Sequence, residues 1–291
     1  MNKSLIFLCS AFLLGCSSSS PQEDIQSDPP ESSDTSGLPD VNAADYWDNA
    51  TLVWQDEFDG NTLSEENWVF ETGDHGWGNN ERQNYVANEN VEVSDGTLKI
   101  IAKRIQIAPG TFEYTSSRLN STTDFIYGRM EIRAKIPEHK GDGLWPALWM
   151  LGSNINTVGW PACGEIDIME YVSFEPNQTH FSIHSTANNH RNGTQITSGP
   201  VALESIEEEF HNYGILWTNK YIKFYLDDID NIQLTFPKPA ITNAENWPFS
   251  GSFYFLMNIA VGGDWGGIEG IDDEIFPAVM EVDYVRVYQV K

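Results

Sequence analysis

The sequence predicts an all-β fold, a two-sheet antiparallel β-sandwich or jelly roll, from three observations. Apolar and polar side chains alternate with a period of two in several short segments, most clearly over residues 129–136. Turns rich in glycine, asparagine and aspartate separate these segments. No region alternates strand patterns with long helical patterns, as a parallel α/β fold would.

The segments can be taken in chain order. Residues 91–93 and 98–103 fit strands joined by the Asp95–Gly96 turn. In residues 129–136 every second side chain is apolar and those between are charged, which is typical of a half-buried strand. Residues 221–226, before the Asp227–Asp228 turn, and residues 280–290 fit the same pattern. Helical periodicity is confined to residues 203–211, which we predict as one short helix.

The first fifteen residues have the features of an export signal. Lys3 precedes an apolar run over residues 5–14, which is too short to span a bilayer, because a spanning helix needs about 20 apolar residues. The run ends in Leu13, Leu14, Gly15 and Cys16, which resembles the bacterial lipoprotein signal. We therefore predict that residues 1–15 are removed and that Cys16 is lipidated, anchoring an exported protein to the outer membrane. The alternative is a plain secretory peptide with a chance cysteine.

Residues 16–45 are rich in serine, proline and acidic residues and contain almost no large apolar side chains. Such a segment buries too little surface to offset its chain entropy, so we predict a flexible tether. Residues 46–291 are predicted to form one folded domain without internal repeats. Loss of Cys9 with the signal and acylation of Cys16 would leave Cys163, so no intrachain disulfide is expected.

The composition excludes some classes of partner. The chain has 16 basic and 43 acidic residues, a net charge of -27, which would repel nucleic acids and anionic lipid surfaces. We therefore expect no nucleic-acid partner and contact with a membrane only through the lipid anchor. The 10 Trp, 11 Tyr and 15 Phe are numerous, and aromatic rings that are not needed in the core can stack on the apolar faces of sugars.

Residues 164–170 (GEIDIME) contain a cluster of carboxyl groups. On a regular strand Glu165 and Asp167 share one face, whereas Glu170 falls on the other. A β-bulge at Ile168–Met169 would return Glu170 to the face of the other two acids. Crowded carboxyl groups cannot all ionise, so at least one pKa is expected to rise towards neutrality.

Two such carboxyls provide what a retaining glycosidase needs. One attacks the anomeric carbon and the other protonates the leaving oxygen, at a separation of about 5 to 5.5 Å. An inverting pair is farther apart, so the spacing of Glu165 and Glu170 after a bulge favours retention. The alternatives are an exposed acidic strand or a calcium site. The apolar Ile166, Ile168 and Val172 favour the catalytic interpretation, because they would anchor the strand in the core.

Several longer motifs resemble glycoside hydrolase family 16, in its bacterial laminarinase branch. The resemblance covers essentially all of residues 50–291. Its motifs are WQDEF at 54–58, WGNNE at 77–81, GLWPALWM at 143–150, WPACG at 160–164 and MEVDYVRVY at 280–288. The resemblance implies an open substrate cleft, a monomer and endo-hydrolysis of β-1,3-glucosidic bonds in laminarin-type β-glucans. No cofactor for catalysis is implied.

The resemblance also implies residue roles. Glu165 corresponds to the nucleophile, Asp167 to the residue that orients it, and Glu170 to the general acid/base. The implied substrate-binding residues are Trp160, Trp145, Trp149, Arg118, Asn80, Glu81, His184 and Trp265. Trp160 corresponds to a stacking platform on the non-reducing side, and core packing remains the alternative for Trp149. Cys163, next to the acidic motif, is interpreted as a small core residue.

Many members of this family bind a structural calcium ion away from the cleft. Glu57, Gly96 and Asp283 correspond to its ligands, which would supply hard oxygen atoms. Two alternatives to a β-1,3-glucanase remain open. One is a hydrolase of the same fold acting on mixed-linkage β-1,3-1,4-glucan, agar or carrageenan. The other is a non-catalytic glucan-binding module, although such a module does not need three crowded acids.

Overall fold

The structure, a computed structural model, describes residues 40–291. The predicted signal peptide, Cys16 and the tether up to residue 39 lie outside the described residues. The strands are β1 (Thr51–Asp56), β2 (Trp68–Phe70), β3 (Gln83–Tyr85), β4 (Val91–Ser94), β5 (Thr97–Ala108), β6 (Thr111–Ser116), β7 (Arg118–Phe125), β8 (Gly128–Lys135), β9 (Leu144–Gly152), β10 (Glu165–Glu170), β11 (Gln178–His184), β12 (Ile196–Thr197), β13 (Val201–Ala202), β14 (His211–Trp217), β15 (Tyr221–Leu226), β16 (Ile232–Pro237), β17 (Phe253–Val261) and β18 (Ala278–Gln289).

These strands form two sheets. The ten-stranded sheet has the order β16-β15-β14-β8-β18-β5-β6-β3, with β1 paired to β18 and β4 paired to β5. The eight-stranded sheet has the order β12-β11-β10-β9-β17-β7-β2, with β13 paired to β11. Neighbouring strands run antiparallel, except for the parallel pair β3 and β6. The predicted all-β, two-sheet architecture is confirmed.

The two sheets bury their facing side chains in a shared core. Ile166 and Ile168 of β10, in the eight-stranded sheet, belong to the same buried cluster as Met130 and Ile132 of β8 and Phe224 of β15. Strand β8 alternates buried and half-buried residues along its whole length, as its sequence period requires. Because β10 places its isoleucines in this core, its acidic side chains lie on the opposite face of the sheet.

All five strand segments identified in the sequence are strands, with ends shifted by a few residues. The helix predicted over residues 203–211 is wrong. Successive turns follow Leu203, only Ile206 among the apolar side chains there is fully buried, and His211 begins β14, where it pairs with Ala134 of β8. In a segment this short, the few helical hydrogen bonds do not offset the unfavourable nucleation of a helix. Its last residue, His211, pairs with the sheet instead.

The described residues contain little helix. The α-helix α1 spans Ile155–Val158, and short 3₁₀ helices span Tyr46–Asn49, His190–Asn192 and Asp273–Ile275. Within residues 40–291, none of the helices has the length and hydropathy needed to cross a membrane. The α1 segment and the 190–192 turn matter for function because both flank the cleft described next.

Candidate active site

The eight-stranded sheet carries a cleft with a volume of about 550 Å³. Strands β7, β9, β10 and β17 form its floor, and loops around residues 71–81, 155–160 and 190–191 form its walls. Three acids of β10, Glu165, Asp167 and Glu170, all line it. The protein therefore brings the whole acidic motif to one concave surface, where a chain-like substrate can lie across the sheet.

A β-bulge aligns the three acids, as the sequence predicted. The pairing of β10 with β9 shifts between Asp167 and Met169, and the pairing with β11 shifts between Asp167 and Glu170. Ile168 and Met169, which are consecutive, are both fully buried in the core. Because two successive side chains point inwards, Glu170 returns to the cleft face.

Glu165 is held by a tryptophan from the preceding loop. Trp160 Nε1 donates a hydrogen bond of 3.0 Å to Glu165 Oε2, so this oxygen is fixed and Oε1 remains free. Across the sheet, Glu165 is paired with His184, whose Nε2 lies 3.8 Å from Glu165 Oε1. An indole N–H donor stabilises a carboxylate and restricts its rotamer, which suits a nucleophile.

The loop that carries Trp160 packs tightly on Gly152 at the end of β9. A Cβ atom at Gly152 would lie 2.1 Å from the carbonyl oxygen of Cys163. Cys163 itself is a buried core residue, as predicted, and burial raises the pKa of its thiol to about 12. The close backbone approach at Gly152 therefore sets the path of the chain from Trp160 into β10.

Replacing Gly152 with alanine is expected to push this loop outwards and to lower the free energy of unfolding by about 1 to 3 kcal/mol. The control is Gly251→Ala, because a Cβ there meets nothing closer than 3.8 Å. Thermal unfolding and kcat/KM of both variants check the prediction. Equal melting temperatures for the two variants would contradict it.

Glu170 is held from the neighbouring strand β9. Trp145 Nε1 donates a hydrogen bond of 3.1 Å to Glu170 Oε1. The backbone carbonyl of Glu170 accepts a hydrogen bond of 3.2 Å from Thr179 Oγ1 of β11. Two different tryptophans thus orient the two glutamates, and among residues 40–291 no arginine or lysine forms an ion pair with either glutamate.

Burial and mutual repulsion raise the pKa values of the three acids. The pKa of Glu165 is raised to about 8, chiefly by burial and next by the charge of Asp167. The same two causes raise the pKa of Glu170 to about 8. Burial also raises the pKa of Asp167. Because the groups repel each other, they share protons as a set, and at least one carboxyl stays protonated near neutral pH.

Five of the predicted sugar-binding residues line the cleft: Trp145, Trp149, Trp160, Arg118 and Glu81. The Arg118 guanidinium lies 4.7 Å from the ring centroids of both Trp77 and Trp149, and its Nε donates to Glu71 Oε2 at 2.7 Å. Trp149 Nε1 donates to Asn258 Oδ1 at 2.8 Å. Trp149 is partly buried but faces the cleft rather than the main core.

The other three predicted residues lie around the cleft rather than among its lining. Asn80 Nδ2 donates to Asp264 Oδ1 at 2.8 Å, which joins two loops at the rim. His184 is buried on the strand next to the acids, and its Nε2 lies 3.2 Å from Asp167 Oδ2. Trp265 packs edge-on against Trp145, with ring centroids 5.4 Å apart, and so supports the tryptophan that holds Glu170.

The ring of Trp160, which is predicted to stack on a sugar, is in contact with two other side chains. The Arg191 guanidinium lies 4.6 Å from the centroid of the Trp160 ring, and the His190 ring lies 5.1 Å from it. Sequence reasoning missed both of these residues, together with Trp77, Glu71 and Asn258, which also line the cleft. Only Trp77 lay in a motif identified in the sequence; the others reach the cleft through tertiary packing.

His180 is a further residue that sequence reasoning missed, although a signal was present. It lies four positions before His184 in β11, so the period of a strand places both on one face. It is paired with Glu170 across the sheet, its Nε2 lies 3.0 Å from Glu175 Oε2, and its ring lies 5.0 Å from that of Trp265. A continuous set of contacts thus runs from Glu175 through His180 and the two tryptophans to Glu170.

Replacing His180 with glutamine is expected to loosen Trp265 and Trp145 and so to lower kcat/KM. An edge-on aromatic contact contributes about 0.5 to 1.5 kcal/mol, which corresponds to a loss of roughly 2- to 12-fold. The measurement is steady-state hydrolysis with His139→Gln as the control, since His139 is exposed. A change of the same size in both variants would contradict a specific role for His180.

The predicted calcium ligands have other partners. Both carboxylate oxygens of Glu57 accept hydrogen bonds of 2.7 Å from Arg286, and Asp283 Oδ2 accepts one of 2.9 Å from Arg133. Calcium needs six to eight oxygen ligands, and an arginine on each carboxylate opposes a cation there. In this arrangement an arginine engages each carboxylate of the predicted set, Glu57 and Asp283, and calcium binding there stays a prediction.

Comparison with known proteins is consistent with this geometry. The chain is 45% identical over 258 residues to a protein described as "Beta-glucanase" from Rhodothermus marinus, covering 84% of this chain and 86% of that protein. It resembles the crystal structure of a laminarinase from Flavobacterium sp. UMI-01, with 43% identity, a TM-score of 0.74, and 82% and 100% of the two chains covered. The structure of the laminarinase from Rhodothermus marinus gives 43% identity, a TM-score of 0.76, and coverage of 82% and 97%.

A family model also matches most of the chain. The model described as "Glycosyl hydrolases family 16" matches residues 78–286, which include β10, its bulge and most of the cleft. The two-sheet fold and the acids on its concave sheet agree with the resemblance seen in the sequence. The chain belongs to glycosyl hydrolase family 16.

Proposed function

We propose that this protein is a retaining endo-β-1,3-glucanase that hydrolyses laminarin-type β-glucans. One observation carries the proposal: the bulge in β10 places Glu165, Asp167 and Glu170 together in a tryptophan-lined cleft. The similarity to a laminarinase of known structure, at 43% identity over 82% of this chain, supports glucan as the substrate. The choice of β-1,3 linkages rests on that similarity rather than on the acids, which any retaining glycosidase would need.

The first half of the reaction uses Glu165 as nucleophile. Its carboxylate attacks the anomeric carbon while Glu170 gives its proton to the glycosidic oxygen, so the carbon–oxygen bond breaks and a covalent glycosyl ester forms on Glu165. Trp160 holds Oε2 of Glu165, which leaves Oε1 as the attacking atom. The leaving sugar departs with the proton that Glu170 supplied, and Glu170 becomes a carboxylate.

The second half reverses these roles. Glu170, now ionised, takes a proton from a water molecule whose oxygen attacks the anomeric carbon and releases Glu165. Two displacements at one carbon give net retention of the β configuration. Burial, and next the charge of Asp167, raise the pKa of Glu170 and so keep that acid protonated until the first step.

Substrate binding follows from the walls of the cleft. Trp145, Trp149 and Trp77 offer aromatic surface, and Arg118 and Glu81 offer groups that can bond to sugar hydroxyls. Glu81 is itself held by Gln83 Nε2 at 2.7 Å. Stacking of a sugar on the covered face of Trp160 would require Arg191 to move. Polar side chains that are fixed by neighbours can select one sugar orientation.

The test is release of reducing ends from laminarin, lichenan and agarose in parallel, with proton NMR of the first products. We expect fastest release from laminarin and initial formation of the β-anomer. Faster release from lichenan or agarose would favour the alternative of another polysaccharide hydrolase. Binding to laminarin without release from any of the three would favour the glucan-binding module. An initial α-anomer would contradict retention.

We further propose that the enzyme is a monomer, exported and anchored by lipid on Cys16. The support is the Leu13–Leu14–Gly15–Cys16 sequence at the end of an apolar run. Replacing Cys16 with serine is expected to move activity from the membrane fraction to the soluble fraction. Activity in the membrane fraction for both forms would contradict lipidation at Cys16.

Calcium remains a proposal from the family resemblance alone, and the arginine contacts of Glu57 and Asp283 oppose it. Binding of calcium to the folded state would raise the melting temperature in a concentration-dependent way. Thermal unfolding in calcium chloride against EDTA therefore decides the matter. Equal melting temperatures in both would remove calcium from the description of this protein.

A further inference from the structure

Three side chains of the active site offer atoms that converge on one point. Glu165, Asp167 and His184 each have one ligand atom within 4.8 Å of the corresponding atoms of the other two. His184 Nε2 lies 3.2 Å from Asp167 Oδ2 and 3.8 Å from Glu165 Oε1. The side chains of Asp167 and His184 are 5% and 7% exposed, and that of Glu165 is 15% exposed. The convergence point is therefore nearly enclosed, with its opening at Glu165 towards the cleft.

The oxygen atoms at this point lack good partners. Within residues 40–291, Asp167 Oδ2 is buried and has no hydrogen-bond donor, although His184 Nε2 lies 3.2 Å away. Oε2 of Glu165 is occupied by Trp160, so its free oxygen is the one nearest His184. A buried carboxylate oxygen without a donor is costly, and a cation shared with its neighbours would remove that cost.

The two distances measured from His184 Nε2 suit one kind of cation. Zinc binds imidazole nitrogen and carboxylate oxygen at about 2.0 to 2.2 Å, and a tetrahedral site then separates neighbouring ligand atoms by about 3.4 Å. The observed 3.2 Å and 3.8 Å lie on either side of this value. Calcium and magnesium fit poorly, because both prefer six or more oxygen ligands and disfavour imidazole. Three protein ligands with an open fourth position are the usual number for an accessible zinc site.

We propose that Glu165, Asp167 and His184 form a zinc-binding site that overlaps the catalytic centre, so that zinc is a reversible inhibitor competitive with glucan. The ion balances two carboxylate charges that burial makes unfavourable, and it occupies the oxygen of Glu165 that would attack the substrate. In the part of the chain that the structure describes, Nδ1 of His184 has no hydrogen-bond partner. Zinc ligands normally have one, and its loss weakens binding by roughly 10- to 100-fold, so the site is weaker than a dedicated zinc centre.

The binding test is calorimetric titration of zinc chloride into the metal-free protein in a buffer that does not bind zinc. We expect one zinc ion at this site, bound at least tenfold more weakly by Asp167→Asn and His184→Gln. The control is His139→Gln, which removes an exposed histidine outside the cleft and should bind as the parent protein does. Melting temperatures establish that each variant is folded. Glu165→Gln replaces either ligand variant that fails to fold.

The inhibition test measures laminarin hydrolysis at several zinc concentrations. We expect KM to rise with zinc while kcat stays constant, and EDTA to restore the original rate. The proposal is overturned if no zinc binds below about 1 mM, if Asp167→Asn and His184→Gln bind zinc as tightly as the parent, or if zinc and a β-1,3-gluco-oligosaccharide bind together without competition. The inhibition readout rests on the proposed function. Zinc binding without any glucan hydrolysis would refute the function and leave the site standing.

Discussion

Replacing Glu165 with glutamine is expected to lower kcat on laminarin by roughly 10⁴- to 10⁶-fold, as removal of an enzyme nucleophile does. The amide keeps the shape of the side chain but cannot form the glycosyl ester. Trp160 can still donate to the amide oxygen, so the walls of the cleft should stay in place. We therefore expect the affinity for laminarin to remain close to that of the parent. Initial rates and equilibrium binding measure the two quantities.

The control for this variant is Glu138→Gln, which changes an exposed glutamate far from the acidic motif. It should retain full activity. Turnover by Glu165→Gln at even a tenth of the parent rate would refute the nucleophile assignment. Loss of binding together with turnover would instead indicate that the substitution disturbs the cleft, and melting temperatures would reveal it.

The same variant carries a prediction about stability. Glu165, whose pKa is raised to about 8, belongs to a set of three carboxyls that share protons, so the folded protein holds protons on this set that the unfolded chain releases above about pH 4.5. The stabilisation that these carboxyls contribute is complete below their pKa in the unfolded chain. It is lost as the pH rises through their pKa in the folded protein. Glutamine has no such dependence. The melting temperature of Glu165→Gln relative to the parent should therefore increase between pH 5 and pH 8.

Replacing Glu170 with glutamine is the second change with a large expected effect. The variant cannot protonate the leaving oxygen, so hydrolysis of laminarin should fall by roughly 10²- to 10⁴-fold, the usual contribution of general acid catalysis. An aryl glycoside with an acidic phenol needs little protonation, so its first step should be much less affected. Added azide should attack the glycosyl ester in place of activated water and partly restore turnover. Equal losses of kcat/KM, which reports the first step, on laminarin and on the aryl glycoside would contradict the role of Glu170.

The dependence of kcat/KM on pH gives an independent reading of Glu170. The parent enzyme needs one ionised and one protonated carboxyl, so its profile should be bell-shaped. Burial and the charge of Asp167 raise the pKa of Glu170 to about 8, which moves the alkaline limb far above the ordinary range of a glutamate. Glu170→Gln should lose the alkaline limb and retain the acidic one. A parent profile that is flat from pH 4 to pH 9 would count against both assignments.

Many strands of this fold could be predicted from the sequence, because the alternation of apolar and polar residues along a strand is a local property. The alternation over residues 129–136 corresponds to β8, with ends displaced by one residue. The bulge could be predicted for a related reason. Glu165 and Asp167 are two positions apart, but Glu170 follows Asp167 by three, so the three acids share one face only if the strand contains a bulge. The helix predicted over residues 203–211 does not form, because helical spacing of apolar residues in so short a segment is not enough to stabilise a helix.

The outer parts of the site depended on contacts between distant segments. Arg191 reaches Trp160 from a turn after β11, and Asn258 of β17 accepts the hydrogen bond of Trp149 in β9. Nothing in the local sequence of either residue indicates a role in the cleft. The resemblance implied calcium ligands at Glu57 and Asp283, and only the tertiary structure shows that arginines from neighbouring strands contact both carboxylates.

The sequence by itself indicated the all-β class, the cluster of three acids and the bulge that unites them, because each depends on side-chain spacing along strands. Tertiary structure alone decided which groups hold those acids, how far burial raises their pKa values, and which oxygens remain free. The physical reason is that hydrogen bonding and desolvation act through space. Trp145, His180 and His184 influence the acids only because β9, β10 and β11 lie side by side in one sheet.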